Sequence, residues 1–189
     1  MEFKEPVVLK NIINGAALIK FQALCDITRQ KVSFVAEEDK QFRRFGIHSP
    51  KAFLELHRTS MLELAERIFG EALKPSYTFL SLYTKGEGIC PYHVDRPQCY
   101  RTIDVCLSQN EPWPLYVNSK VPKFEDEAEY YKKMDEIKAA GTSFLLEPGD
   151  ALLYSGTDHP HWREKIQDGN FCNLVFFHFV RSDFDGPLI

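Results

Sequence analysis

The sequence predicts an α+β fold with a mainly β core, in which N-terminal helices support a β-sandwich or barrel. Two observations indicate this fold: a helical pattern precedes residue 76, and many short strand-like segments follow it. The 189 residues include 15 Phe and 8 Tyr, which favour strands and a packed interior. Because the chain has no internal repeat and no Gly/Ser linker, it predicts a single domain over residues 1–189.

A helix after Ser49 is the first element that the residues define. Ser49 can cap it, Pro50 suits its first turn, and Lys74-Pro75 ends it. Its apolar positions repeat at helical spacing: Leu54, Met61, Ala65, Ile68 and Ala72. Residues 8–30 and 33–46 contain short apolar runs without a clear assignment, and residues 1–76 are predicted to be mainly helical support.

Strand-like segments make up the predicted core, residues 77–181. They are 77–84, 100–108, 115–117, 143–147, 151–155 and 173–180. A tight turn from Glu147 to Asp150 separates two of them, because its Pro and Gly supply the turn angles. Between the strands, residues of about 122–141 are predicted to be a helical insert, with a charged helix that Gly141 ends. This helix is expected to be a solvated face or, alternatively, a lid over substrate.

Charge and composition exclude several classes of partner. The net charge is −4 with both signs interspersed, so no nucleic-acid partner is expected. No apolar run approaches the ~20 residues of a membrane helix, and the start of the chain lacks a signal-peptide core. The five cysteines form no CxxC pair, which indicates reduced, mostly buried thiols in a cytoplasmic protein without membrane contact.

His93-Val94-Asp95 is the sharpest chemical feature of the sequence. Residues two apart at the end of a strand point to the same side, so His93 and Asp95 can reach one metal ion. An imidazole and a carboxylate are two thirds of the facial triad of oxygen-activating Fe(II) enzymes. The third ligand is expected from TDHPHW, which offers His159 and His161 after a strand. A solvated turn with a surface histidine is the alternative interpretation.

The segments around these residues resemble the 2-oxoglutarate/Fe(II)-dependent oxygenases, especially the prolyl-hydroxylase-like branch. YTKGEGICPYHVDRPQCYRTIDVCLS is similar to the segment that carries the HxD motif in that superfamily. EPGDALLYSGTDHPHWRE and NLVFFHFV are similar to its late strands with the distal histidine. The resemblance covers residues 77–181 and implies a double-stranded β-helix, a jelly-roll or cupin-like fold. It further implies a dioxygenase that uses Fe(II), 2-oxoglutarate and O2 to hydroxylate a small molecule or a peptidyl side chain.

The same resemblance assigns the metal ligands. It makes His93, Asp95 and His161 the catalytic residues that hold the iron. His161 is preferred over His159 because the superfamily segment has its histidine directly before Trp-Arg, as in His161-Trp162-Arg163. His159 is then a surface loop residue or a donor that supports the ligands.

The expected anchor for 2-oxoglutarate is missing from its usual place. Most members of the family bind the far carboxylate with an Arg or Lys near the start of the last strand, but residues 171–176 contain no basic residue. A buried dicarboxylate needs a compensating cation, and the planar fork of Arg suits it best. The alternatives are Arg163, Arg101, Arg96 and Lys85, with Tyr83 as a hydroxyl donor.

Arg101 has two interpretations. It alternates with Ile103 and Val105, which places it on an otherwise apolar face of its strand. It therefore binds either the co-substrate or a carboxylate of the protein itself, such as Asp150.

Two rival functions stay open. The missing cation favours a cupin-like metal enzyme that does not use 2-oxoglutarate. The second rival is a non-catalytic jelly-roll binding module, against which the intact HVD and HWRE segments argue. Of the remaining histidines, His178 is expected to be a core or edge residue, and His48 and His57 are expected at the surface.

Overall fold

The computed structural model describes residues 5–31, 41–83, 88–119 and 127–188, and these form four helices and two sheets. The helices are Gly15–Lys31 (α1), Lys51–Arg58 (α2), Ser60–Phe69 (α3) and Glu127–Ala139 (α4). The strands are Val7–Leu9 (β1), Phe45–His48 (β2), Leu73–Tyr83 (β3), Cys90–His93 (β4), Arg101–Gln109 (β5), Leu115–Val117 (β6), Thr142–Phe144 (β7), Ala151–Tyr154 (β8), His161–Arg163 (β9) and Cys172–Arg181 (β10). The predicted α+β fold with a mainly β core is confirmed.

The strands form a six-stranded sheet in the order β1-β8-β5-β10-β3-β2 and a four-stranded sheet in the order β4-β9-β6-β7. The paired strands are antiparallel throughout. A central strand such as β10 is buried on both faces, which explains its nearly continuous apolar sequence.

The larger sheet separates two apolar cores. On β8, Ala151 and Leu153 face the first core with α1 to α3, whereas Leu152 and Tyr154 face the second core between the sheets. This alternation follows from the two-residue period of a strand. Because helices cover one side of the larger sheet, the side that faces the smaller sheet is the one left open for a functional site.

The predicted helix after Ser49 is two helices, and three details of that prediction are wrong. At Thr59 the backbone leaves the helical region (φ −118°, ψ −102°), and its hydroxyl donates to the Glu55 carbonyl. Pro50, not Ser49, is the N-cap of α2, and it makes no side-chain capping bond. The second helix ends at Gly70, which takes the left-handed conformation of a helix C-cap.

Lys74-Pro75 does not end the helix, because it lies inside β3. Pro75 is tolerated there because β2 pairs with β3 only from Phe79 to Leu82, so that one side of β3 is an edge at Pro75. The N-terminal region thus also contains strands β1 and β2, which the sequence did not reveal.

The described part of the insert contains α4, which begins at Glu127 and ends at Ala139, close to the prediction. The five cysteines are free and buried, as expected. Among the helices that the structure describes, none is long and apolar enough to cross a membrane.

Candidate metal centre

Strand pairing brings the two predicted metal-binding histidines together. Strands β4 and β9 are antiparallel neighbours, and His93 is the register partner of His161. Directly paired residues of two strands have their side chains on the same face, so both imidazoles point to one side of the smaller sheet. Their ring centroids lie 4.4 Å apart.

Asp95 completes the cluster from the loop after β4. Its backbone N–H donates to the Gly156 carbonyl at 2.8 Å, which fixes this loop against the end of β8. Its Oδ1 lies 3.4 Å from His93 Nε2 and 3.8 Å from His161 Nε2. The three ligand atoms lie within 4.8 Å of one another, which is close enough for a single metal ion.

Backbone carbonyls set which ring nitrogen of each histidine faces Asp95. His93 Nδ1 donates to the Pro91 carbonyl at 2.7 Å, and His161 Nδ1 donates to the His159 carbonyl at 2.9 Å. Because Nδ1 is the donor to a carbonyl in each ring, Nε2 is the nitrogen that faces Asp95. The backbone thus turns the Nε2 atoms of both imidazoles towards one carboxylate.

The three side chains of this cluster shift one another's pKa values. Burial opposes the charged form of His93, but hydrogen bonds to Asp95 and Cys90 outweigh it and raise the pKa of His93 to about 10. For His161, burial dominates and lowers the pKa to about 4. Burial opposes ionisation of Asp95, but the two histidines outweigh it and lower the pKa of its carboxyl group. A positive charge is therefore stabilised between the three side chains.

His159 does not join this cluster in the structure. It is buried, and its Nδ1 accepts the backbone N–H of Ser155 at 3.2 Å. His159 supports the cluster through its backbone, because its carbonyl accepts the hydrogen bond that orients the His161 ring. The geometry thus brings His161, and not His159, together with His93 and Asp95.

The cluster lies at one wall of a cavity of about 120 Å³. Its lining combines charged, aromatic and thiol side chains: Phe42, Arg44, Tyr77, Phe79, Tyr83, Cys90, His93, Asp95, Arg96, Asp104, Leu115, Tyr154, His161, Arg163, Phe176 and His178. Tyr83 and Arg163, two of the predicted co-substrate residues, belong to this lining, whereas Lys85 lies outside the described residues.

Arg163 is held by a buried carboxylate. Its Nη2 donates to Asp104 Oδ2 at 3.0 Å, and its Nη1 donates to the Trp113 carbonyl. Tyr83 accepts a hydrogen bond from Arg44 Nη1 at 3.2 Å. Burial raises the pKa of Tyr83, so its hydroxyl keeps its proton.

The structure does not bring Arg101 to the cavity, which corrects its prediction as a co-substrate residue. Its Nε donates to Glu71 Oε1 at 2.6 Å on the helical side of the larger sheet, where it lies over the Phe69 ring. The alternative interpretation, a carboxylate of the protein itself, is confirmed, but the partner is Glu71 and not Asp150, which pairs with Lys10 at 2.7 Å. The apolar face of β5 is the face that packs on the helices, and Glu71 follows directly after them.

Several residues around the cavity were missed, or misplaced, by the sequence. His178 lines the cavity, and its Nδ1 lies 3.0 Å from Thr102 Oγ1. Because Phe177 and Phe179 face the helices, the two-residue period of the strand could have predicted that His178 faces the opposite side. The same period places Asp104 on the cavity side of β5, whereas nothing in the sequence around Arg44 predicted its position. His57 is buried, not at the surface, and its Nε2 donates to the His178 carbonyl at 2.9 Å.

No protein-family model and no curated protein sequence matches the chain. Solved structures match it over nearly its whole length. HygX from Streptomyces hygroscopicus with nickel and 2-oxoglutarate bound is 14% identical, with a TM-score of 0.71 over 95% of this chain and 83% of that one. AviO1 from Streptomyces viridochromogenes Tue57 is 13% identical, with a TM-score of 0.72 over 96% and 92%.

A third neighbour and a further HygX structure extend the comparison. SnoN, a non-haem α-ketoglutarate-dependent epimerase from nogalamycin biosynthesis, is 11% identical, with a TM-score of 0.70 over 94% of this chain and 78% of that one. HygX has also been solved with nickel, 2-oxoglutarate and hygromycin B bound, and that structure has a TM-score of 0.66 at 14% identity, over 95% of this chain and 84% of that one. The chain therefore has the double-stranded β-helix fold that 2-oxoglutarate-dependent non-haem enzymes share.

Proposed function

We propose that this protein is a non-haem Fe(II), 2-oxoglutarate-dependent dioxygenase that hydroxylates a small molecule. One observation carries the proposal: two imidazoles and one carboxylate converge within 4.8 Å at the wall of a cavity. Two histidines and a carboxylate on one side of an ion are the ligand set of oxygen-activating iron(II) enzymes. The fold shared with 2-oxoglutarate-dependent enzymes supports the same chemistry.

The residues of the cluster fit a divalent cation. The raised pKa of His93 and the lowered pKa of Asp95 indicate surroundings that favour a positive charge, which a divalent metal ion would supply. His93, Asp95 and His161 would be the ligands, because their ligand atoms already face one another.

The charges of the cavity fit a dianionic co-substrate. Three arginines (Arg44, Arg96 and Arg163) and two carboxylates (Asp95 and Asp104) line it, so the lining has an excess of positive charge. A divalent metal ion adds two further positive charges, which a dicarboxylate would offset. Arg163 and Tyr83 would hold the far carboxylate, since a guanidinium and a hydroxyl are both suitable donors.

When bound, Fe(II) and 2-oxoglutarate together activate O2, and the co-substrate leaves as succinate and CO2 while a substrate C–H bond is hydroxylated. The protein's own residues orient the ligands and limit the access of water. Backbone carbonyls orient the two imidazoles, and Arg163 positions the far carboxylate. Tyr154 packs edge-on against His161, with their ring centroids 4.9 Å apart.

The size of the cavity bears on the substrate. A volume of about 120 Å³ accommodates a few waters or one small organic acid, so the co-substrate would fill most of it. The substrate would then lie at the mouth, where Phe42, Phe79 and Phe176 are half-buried. A small molecule suits this aromatic mouth, and hygromycin B bound to HygX is a precedent for one in this fold. A peptidyl side chain is the second substrate class.

Turnover tests the proposal directly. Anaerobically loaded Fe(II) protein, exposed to O2 and 2-oxoglutarate with a panel of small organic substrates, should form succinate. An Asp95→Ala variant should form none, whereas Lys10→Ala, which removes the exposed partner of an ion pair outside the cavity, should match the unmodified protein. Metal binding without any 2-oxoglutarate consumption would favour the cupin-like alternative.

That alternative has one observation in its favour. Arg163 already has a buried carboxylate partner, which a dicarboxylate co-substrate must share. An enzyme that binds only a metal and a neutral ligand would leave this pair as it is. Direct binding of 2-oxoglutarate to the metal-loaded protein separates the two functions.

A further inference from the structure

Asp104 and Arg163 connect the two sheets across the cavity. Asp104 belongs to β5 of the larger sheet and Arg163 to β9 of the smaller one. Their side chains are 0% and 4% exposed, and their ion pair measures 3.0 Å. Only one oxygen of the carboxyl group is engaged, because Asp104 Oδ1 is buried without a hydrogen-bond partner among the described residues.

Asp104 is one of the residues that line the cavity, and its unpartnered buried oxygen indicates a missing partner. A buried polar atom without a hydrogen bond is costly, so such an atom in a native protein usually marks a ligand, a water or a proton. Among the described residues, Arg163 makes two side-chain hydrogen bonds, which use two of the five N–H groups of a guanidinium. Because Asp104 and Arg163 both line the cavity, one ligand there can contact both.

The surroundings of Asp104 disfavour a second negative charge. Burial raises the pKa of its carboxyl group, although Arg163 and Arg44 oppose that shift. The charged and titratable groups that act on it come from several elements: Arg163 on β9, Arg44 before β2, Asp95 after β4, Tyr154 on β8 and Cys106 on β5. Tyr154 and Cys106 become negative only at high pH, so Asp95 is the neighbouring anion of Asp104 near neutral pH.

A dicarboxylate bound to Arg163 would place a second carboxylate beside Asp104. Two ionised carboxylates that share one buried guanidinium repel each other, and a single proton held between them removes the repulsion. The unpartnered Oδ1 is the atom of Asp104 that is available to carry this proton.

We propose that Asp104 takes up one proton from solvent when 2-oxoglutarate binds, and that its Oδ1–H donates a hydrogen bond to the far carboxylate held by Arg163. This inference rests on the proposed function. Asp104 is then a binding residue that selects 2-oxo acids with a second carboxylate. The proton also explains how Arg163 can bind the far carboxylate while it stays paired with Asp104.

Calorimetry on the nickel-loaded protein tests the proton uptake without turnover. 2-Oxoglutarate is titrated at about pH 7 in buffers that differ in ionisation enthalpy. The expected result is an uptake of about one proton, with an affinity that falls about tenfold for each pH unit above neutrality. 2-Oxobutyrate, which has the same chelating group but no second carboxylate, should bind without this uptake.

Two variants locate the proton. Asp104→Asn should bind 2-oxoglutarate with almost no proton uptake and a flat pH profile, because its amide donates without titrating. Glu71→Gln is the matched control, since it alters a carboxylate–arginine pair outside the cavity, and it should keep the uptake of about one proton. If Asp104→Asn does not fold, the comparison of the two oxo acids on the unmodified protein decides.

The outcomes separate this inference from the proposed function. Equal proton uptake for the two oxo acids, or an unchanged uptake in Asp104→Asn, would overturn the role of Asp104 while leaving 2-oxoglutarate as the co-substrate. No binding of 2-oxoglutarate to the metal-loaded protein would instead overturn the proposed function.

Discussion

Replacing Arg163 by Met should destabilise the protein by about 3–5 kcal/mol, because it leaves a buried carboxylate without its counter-ion. The magnitude follows from burial: Asp104 is fully buried, and the variant loses both its 3.0 Å ion pair and the hydrogen bond to the Trp113 carbonyl. Met fills most of the volume of the Arg side chain, so little of the loss would come from a cavity.

Urea denaturation of a double-mutant cycle measures this effect. The double variant Asp104→Leu/Arg163→Met removes both charges. Its loss in free energy of unfolding should therefore be much smaller than the sum of the losses of the two single variants. Arg101→Met is the comparison, since its partner Glu71 is 21% exposed and solvent reduces the penalty. A loss below about 1 kcal/mol for Arg163→Met, or additive single effects, would refute the reasoning about this buried pair.

Three further predictions concern the centre and its support. Gly156→Ala should weaken metal binding about 10- to 100-fold in equilibrium titrations, because a Cβ there would lie 2.4 Å from Asp95 Oδ2; an unchanged affinity would contradict this positioning. His161→Ala should reduce metal affinity more than about 100-fold, whereas His159→Ala should retain metal binding; the reverse order would assign the ligand to His159. Burial lowers the pKa of His57 from 6.5 to about 4, so the unfolded chain binds more protons in that range and the free energy of unfolding should fall by about 3 kcal/mol between pH 6.5 and 4. His57→Gln should reduce this slope in denaturation curves, and an unchanged slope would count against a neutral buried imidazole.

Local patterns predicted the parts of the site that depend on neighbours in sequence. His93 and Asp95 could be proposed as ligands because their spacing determines a common side of a strand. The position after a strand limited the distal ligand to His159 or His161, and only the resemblance to the oxygenases favoured His161. The antiparallel pairing of His93 with His161 could not be predicted, since it depends on which strands lie side by side.

Long-range partners explain the remaining differences. The alternation of β5 predicted correctly that Arg101 lies on an apolar face, but not that the helices cover that face and supply Glu71. The helix after Ser49 was predicted as one element because its apolar spacing continues through Thr59, where a side-chain hydrogen bond accompanies the break. Asp104 was overlooked because a single acidic residue in a strand gives no sign of its partner 59 residues away.

The visible absorption of the anaerobic Fe(II) protein with 2-oxoglutarate tests the central claim most directly. Chelation of iron by the co-substrate's oxo and carboxylate oxygens should produce a weak metal-to-ligand charge-transfer band, and exposure to O2 should then yield succinate. His161→Ala should show neither, because it removes one of the three side chains proposed to bind the metal. An Fe(II)-loaded protein that shows no band and forms no succinate would contradict the account.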